Sequence, residues 1–89
     1  MAMKYDVDAD FDTPYLEQFG EQIQSLAEAE EDVTLDLSRV NFVDSSGLGA
    51  LVALHKKLVA RGYRLRVLGL RGQPLQLFIN LKLVPVFCS

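Results

Sequence analysis

What this 89-residue chain lacks removes several classes of function before any motif is read. It has one cysteine, Cys88, beside the C-terminus, and one histidine, His55. A single thiol closes no disulfide within the chain, and one Cys with one His falls short of a four-ligand zinc site. No apolar run approaches the roughly 18 residues that begin to suggest a membrane span. The start, MAMKYDVDAD, is acidic and carries no apolar core of a signal peptide, so the chain reads as cytoplasmic, without membrane insertion. Acid is absent from the second half. All twelve Asp and Glu lie in residues 1–44 with only Lys4 and Arg39 against them, whereas residues 45–89 hold seven basic groups. Those seven have no aromatic platform interleaved with them, which disfavours direct nucleic-acid binding.

Hydrophobic content of 49% and charged content of 24% are globular values, and the length suits one domain, residues 1–89. The organising stretch is Val33 to Gly49, VTLDLSRVNFVDSSGLG. Val33, Leu35 and Leu37 alternate with Thr34, Asp36 and Ser38, the period of a strand with one buried face. The period then changes to that of a helix, which places Asp44, Ser45 and Ser46 at a strand-to-helix turn. A hydroxyl there can cap free N–H groups of the first turn, and Ser46 is the expected cap. The same N–H groups and the helix dipole favour negative charge. Gly47 and Gly49 let a backbone or ligand come close.

Hydrolytic chemistry does not fit. His55 lies ten residues past Ser45 on the same predicted helix, about 15 Å along its axis, too far to act as its base. A Gly-x-Ser-x-Gly elbow is absent, and no phosphate-binding lysine follows Gly47-Leu48-Gly49. Asp6, Asp8, Asp10 and Asp12 alternate as in a calcium loop, but the glycine and glutamate of that loop are missing. No cofactor is implied, and the chain reads as a non-enzyme.

The run LDLSRVNFVDSSGLGALVALHKKL resembles the STAS domain, the fold of bacterial anti-sigma factor antagonists. The resemblance implies a small α/β domain: a mixed, mostly parallel four-stranded sheet with about three helices, here lacking the first strand and the final helix. It implies an anti-anti-sigma function in transcription regulation by partner switching, in which the serine after the aspartate is phosphorylated by the partner, an anti-sigma factor serine kinase. By position that serine is Ser45. The same resemblance matches DFDTPYLEQF to the segment entering the first helix, with Asp12 near the phosphosite and Ala9 where the family has glycine. Docking is expected on Asp44, Ser46, Gly47 and Leu48, continuing along the helix through Gly49, Ala50, Ala53 and Lys57. The alternative is a non-catalytic STAS subunit of a larger assembly, such as a lipid-transport ATPase or a signalling scaffold. The serine pair favours the phosphoswitch. Missing edge-covering elements also make a homodimer an expectation.

Along the rest of the chain, Met3–Val7 reads as a strand. A helix over about 14–29 has Thr13 as N-cap, Pro14 at its first position and an apolar arc through Tyr15, Leu16, Phe19, Ile23, Leu26 and Ala27. The second helix, about 46–61, stops at Gly62. Its core face is expected to include Leu51, Leu54, His55, Leu58 and Val59, with His55 hydrogen-bonded to backbone or Tyr63. Ala50, Ala53, Lys56 and Lys57 form the opposite, flat and basic face beside Ser45. Arg64–Leu70 alternates as a third strand. Leu75, Phe78 and Ile79 mark a short helix, and Val84–Phe87 reads as the last strand. Lys82 stands where the family has glycine.

Overall fold

The computed structural model describes residues 3–88. Its elements in chain order are β1 (Met3–Asp6), α1 (Thr13–Ser25) with a 3-10 turn at Leu26–Glu28, β2 (Val33–Asp36), α2 (Ser45–Ala60), β3 (Leu65–Leu68), α3 (Gly72–Asn80) and α4 (Val84–Phe87). The sheet has the order β1-β2-β3 and both pairings are parallel: Met3 lies opposite Val33 and Val33 opposite Leu65. Because each crossover joins adjacent parallel strands, right-handed connections put α1 and α2 on one face of the sheet, where they pack together.

Alternation decides which face is covered. Val33, Leu35, Leu65 and Val67 are buried, while Thr34 and Asp36 are half-buried and Arg66 and Leu68 exposed. The helices complete the core with Tyr15, Ile23, Leu51, Leu54 and Leu58. Each such Leu or Ile contributes about 1.5–3 kcal/mol by leaving water. The uncovered face carries Lys4, bonded ionically to Asp36 at 3.4 Å and Asp6 at 3.7 Å. The acidic and basic halves of the sequence interleave, since β3 lies against β2. Arg61 reaches back to the carbonyl oxygens of Ala27 (2.6 Å) and Ala29 (3.1 Å), and Arg71 to that of Ser38 (2.9 Å).

The sheet has three strands among the described residues, all parallel, rather than four in a mixed sheet. The segment expected as the last strand is α4. Val84-Pro85-Val86-Phe87 has too few residues for periodicity to separate strand from helix, and Pro85 in the first turn gives up an N–H that the helix does not need. The turn before it sets the direction. Lys82 adopts φ +59°, and the amides of Lys82 and Leu83 close α3 onto Ile79 and Phe78 in a left-handed cap. That is the conformation glycine adopts most easily, at the position where a glycine is expected. Gly62, φ +87°, ends α2 by the same bonding pattern onto Val59 and Leu58.

So redirected, α4 drives Phe87 into the core, 1% exposed, against Phe78 and the edge of His55 at a centroid distance of 5.0 Å. His55 is therefore ring-packed rather than hydrogen-bonded to Tyr63, and its buried Nδ1 has no partner among the described residues. Val59 is 53% exposed and leaves the core face assigned to it. Truncation of Phe87 to Ala should cost about 3 kcal/mol. Urea unfolding measures this; a loss below 1 kcal/mol would mean that α4 does not close the core.

Candidate functional site

The two strand-to-helix junctions meet at the C-terminal end of the sheet. Beyond β1 and β2 the chains pair once more, at a parallel bridge between Phe11 and Val43. The Phe11 amide donates to the Phe42 carbonyl (3.0 Å), and the Asp44 amide to that of Phe11 (3.4 Å). The other side of this segment is held by a side chain: Gln73 accepts from the Val43 amide (2.9 Å) and donates to the Val43 carbonyl (3.0 Å). Gln73 thus stands in for a neighbouring strand.

Because Phe11 and Val43 are in register, the residues that follow them, Asp12 and Asp44, cap adjacent helices. Asp12 Oδ1 accepts from the Tyr15 amide (3.1 Å) and Asp44 Oδ1 from the Gly47 amide (2.8 Å). These aspartates, not Thr13 and Ser46, are the N-caps. Thr13 and Ser46 join the two helix starts: the Thr13 hydroxyl donates to Ser46 Oγ at 2.9 Å, and the Thr13 amide to Asp44 Oδ2 at 3.3 Å. The Gly47 amide, then the Thr13 groups and the Ser46 amide, hold the Asp44 carboxyl below the usual carboxylate range. Asp36 is lowered too, chiefly by the side chain and amide of Ser38, with a smaller contribution from Lys4.

Ser45 is the first helical residue of α2 and is exposed. Ser46 and Gly49 are exposed too, while Leu48, Ala50 and Ala53 are half-buried, with Leu48 and Ala50 packed against the core. Gly47 is buried. A Cβ at this position would collide with the carbonyl oxygen of Phe11 and lie 2.9 Å from its carbonyl carbon. At Gly49 nothing lies within 4 Å of such an atom, so among the described residues it is Gly47 that a backbone approaches, and the space at Gly49 is open. The flat basic face beside Ser45 is not formed. Lys56 and Lys57 lie about 16–18 Å farther along the helix axis, and Lys57 Nζ donates to Gln24 Oε1 of α1 at 2.9 Å. Residues not expected at the site complete it: Thr13, read in the sequence only as a helix cap, as a bridge, Gln73 as a clamp, and Phe42, 45% exposed on the approach to Asp44. Gln73 lies in an ordinary-looking turn, 30 residues from its partner, and carries no local signal.

His55 faces Phe87, away from the Ser45 turn, and no group of three or more His, Cys, Asp or Glu among the described residues is placed to hold a metal. No helix of the structure is long and apolar enough to cross a membrane. The arrangement presents a serine hydroxyl at a rigid turn, with helix amides behind it and carboxylates beside it.

Gly47→Ala should destabilise the domain by about 3 kcal/mol because backbone must move. Gly49→Ala should stabilise it by about 0.5–1 kcal/mol, as helix propensity alone dictates. Urea titrations of both variants separate the two cases; equal effects would refute the close-packed turn. Lowered folded-state carboxyl pKa values add stability that is present above their unfolded value and lost as pH falls through the folded one. The urea midpoint should therefore fall as pH drops from about 5 to below 3, and Asp44→Asn should flatten part of that fall.

Comparison with known proteins places this geometry. The family model of the STAS domain matches residues 2–88. A putative anti-sigma factor antagonist from Thermotoga maritima superposes with a TM-score of 0.86 at 16% identity, covering 98% of this chain and 76% of that one. The unphosphorylated anti-sigma factor antagonist SpoIIAA gives 0.70 at 20% identity, covering 88% and 73%. A sulfate transporter family protein from Wolinella succinogenes gives 0.77 at 16% identity, covering 94% and 69%. No curated protein sequence matches the chain. With the family model spanning all of the described residues, the chain belongs to the STAS domain family.

Proposed function

We propose that this protein is an anti-sigma factor antagonist: it binds an anti-sigma factor serine kinase, so releasing a sigma factor, and is switched off when that kinase phosphorylates Ser45. The observation that carries the reading is the exposed Ser45 hydroxyl at the first position of α2, held by the Asp44 cap and the Phe11–Val43 bridge. Two structurally similar proteins are described as antagonists of this kind, one of them in an unphosphorylated form.

Unmodified, the turn with exposed Ser45 and Gly49 and half-buried Ala53 offers a low-relief surface on which a partner can pack. Phe42 supplies an apolar anchor at its end. In the switching step the γ-phosphoryl group of ATP passes to Ser45 Oγ; ADP leaves and the hydroxyl proton goes to a base on the kinase. The product places about −1.5 to −2 charges beside Asp44 and the neighbouring Asp12. Within the free protein the positive end of the α2 dipole favours the phosphate, although the Ser46 and Gly47 amides are already engaged by Asp44. Inside a packed interface the same charge must be desolvated next to two carboxylates. A differential of about 3 kcal/mol is enough to weaken the complex more than 100-fold. No refolding is needed, and catalysis belongs to the partner, so the protein itself is a non-enzymatic, cytoplasmic regulator.

The likeness to a sulfate transporter family protein favours a second reading, a non-catalytic subunit or scaffold of a larger assembly bound through the same helix. Intact-mass analysis after incubation with ATP and candidate anti-sigma kinases distinguishes the two. The switch requires gain of one phosphate that is lost in Ser45→Ala and kept in Ser46→Ala. Stable complexes without phosphate transfer would transfer the assignment to the assembly reading.

A further inference from the structure

The sheet has an edge whose charges are self-complementary. In β1 the odd residues turn their backbone toward β2, as the Met3 amide does to the Asp32 carbonyl (2.8 Å) and the Val7 amide to that of Asp36 (3.1 Å). By alternation, the amides and carbonyls of Lys4 and Asp6 point outward from the edge. The opposite edge, β3, has α4 packed against it. The β1 edge has no strand beside it among the described residues.

We propose that a second copy of this chain pairs with this edge, β1 against β1 and antiparallel, centred on Tyr5. In that register Lys4 lies opposite the second copy's Asp6 and Asp6 opposite its Lys4. Both are outward-facing residues, so each pair exchanges two backbone hydrogen bonds and the dimer gains four. Their side chains share the uncovered sheet face, where directly opposed Cβ atoms stand about 4.5–5.5 Å apart, within ion-pair reach. On the other face Met3 falls opposite Val7, and Tyr5 meets Tyr5. Shifting the centre to Lys4 sets lysine against lysine; shifting it to Asp6 sets aspartate against aspartate at the centre and moves the partner of Lys4 to Asp8, beyond the end of β1. A lysine at a sheet edge ordinarily discourages strand addition; here the aspartate two residues on makes one antiparallel register favourable and penalises its neighbours. The contact is isologous, so it closes at two copies and yields a continuous six-stranded sheet.

Sedimentation analysis of the full chain from about 10 µM to about 1 mM tests this, with Lys4→Asp and Asp6→Lys made separately and circular dichroism confirming that each is folded. The wild type should dimerise, and each variant alone should dimerise more than tenfold more weakly. A mixture of the two variants should restore the dimer, because one edge then carries two aspartates and the other two lysines. In the wild type, hydrogen exchange at the Lys4 and Asp6 amides should slow as dimer forms, since alternation turns both away from β2 and no strand lies beside that edge among the described residues. A wild type monomeric throughout, a dimer indifferent to the single substitutions, or a mixture that stays monomeric would each overturn the proposal. Phosphate transfer to Ser45 is measured separately, so neither reading falls with the other.

Discussion

The close approach of Gly47 to the Phe11 carbonyl is the constraint on which the rest of this structure turns. It brings the first turn of α2 against the link that enters α1, with no side chain between them. Around that contact the Phe11–Val43 bridge fixes the register of the two junctions, and the Gln73 amide closes the far side of the same segment. Both helix starts then fall side by side, each capped by an aspartate, with Thr13 and Ser46 hydrogen-bonded between them. A serine placed one residue after such a cap has little freedom to retreat. Its exposure follows from its place as the first residue of α2, between the Asp44 cap and the Gly47 contact.

Polar groups at the site are arranged around backbone amides more than around one another. Asp12 and Asp44 spend one oxygen each on a helix amide, and the Gln73 side chain satisfies both backbone groups of Val43. This leaves the local field negative but anchored: the carboxylates are held where added charge must meet them. Under the proposed function, a docking surface built this way would respond to a phosphate electrostatically, without a conformational relay. Beside the same junction, on the core side of the first α1 turn, desolvation, followed by the hydrogen bond to Tyr5 at 3.2 Å, pushes the Tyr15 phenol upward.

Much of this was legible in the residues. The alternation of Val33, Leu35 and Leu37, the helical arcs of α1 and α2, and the C-terminal Gly62 all correspond to elements of the structure. Those signals are periodic and extend over many residues, so tertiary context has little room to override them. The caps lie one residue before Thr13 and two before Ser46 because Asp12-Thr13 and Asp44-Ser45-Ser46 offer several competent side chains in a row. The choice between them is made by the Phe11–Val43 bridge, a contact between segments 32 residues apart, invisible to local pattern. Val84–Phe87 failed for another reason: four apolar residues carry no period, and the left-handed turn at Lys82 decides their course. The error propagated to His55, whose partner is Phe87 on that misassigned segment. Lys57 went astray because helical spacing says which face a residue occupies, and not that α1 would stand close enough for Gln24 to take its ammonium.

Location of the two surfaces bears on how they could work together. Parallel strands place both strand-to-helix junctions at one end of the sheet, and the free β1 edge runs along its side. In the antiparallel pair proposed for that edge, the two copies point in opposite directions, which carries their Ser45 turns to opposite ends of a six-stranded sheet. Neither turn is then covered by the second copy, and a kinase bound at one end has no steric reason to exclude another at the other. The charge pattern fits this division: in the proposed pair, Lys4 and Asp6 are engaged at the edge, whereas Asp12 and Asp44 remain at the ends, beside the serine of the proposed switch. Self-association would thus set the valency of the docking surface without altering its local chemistry.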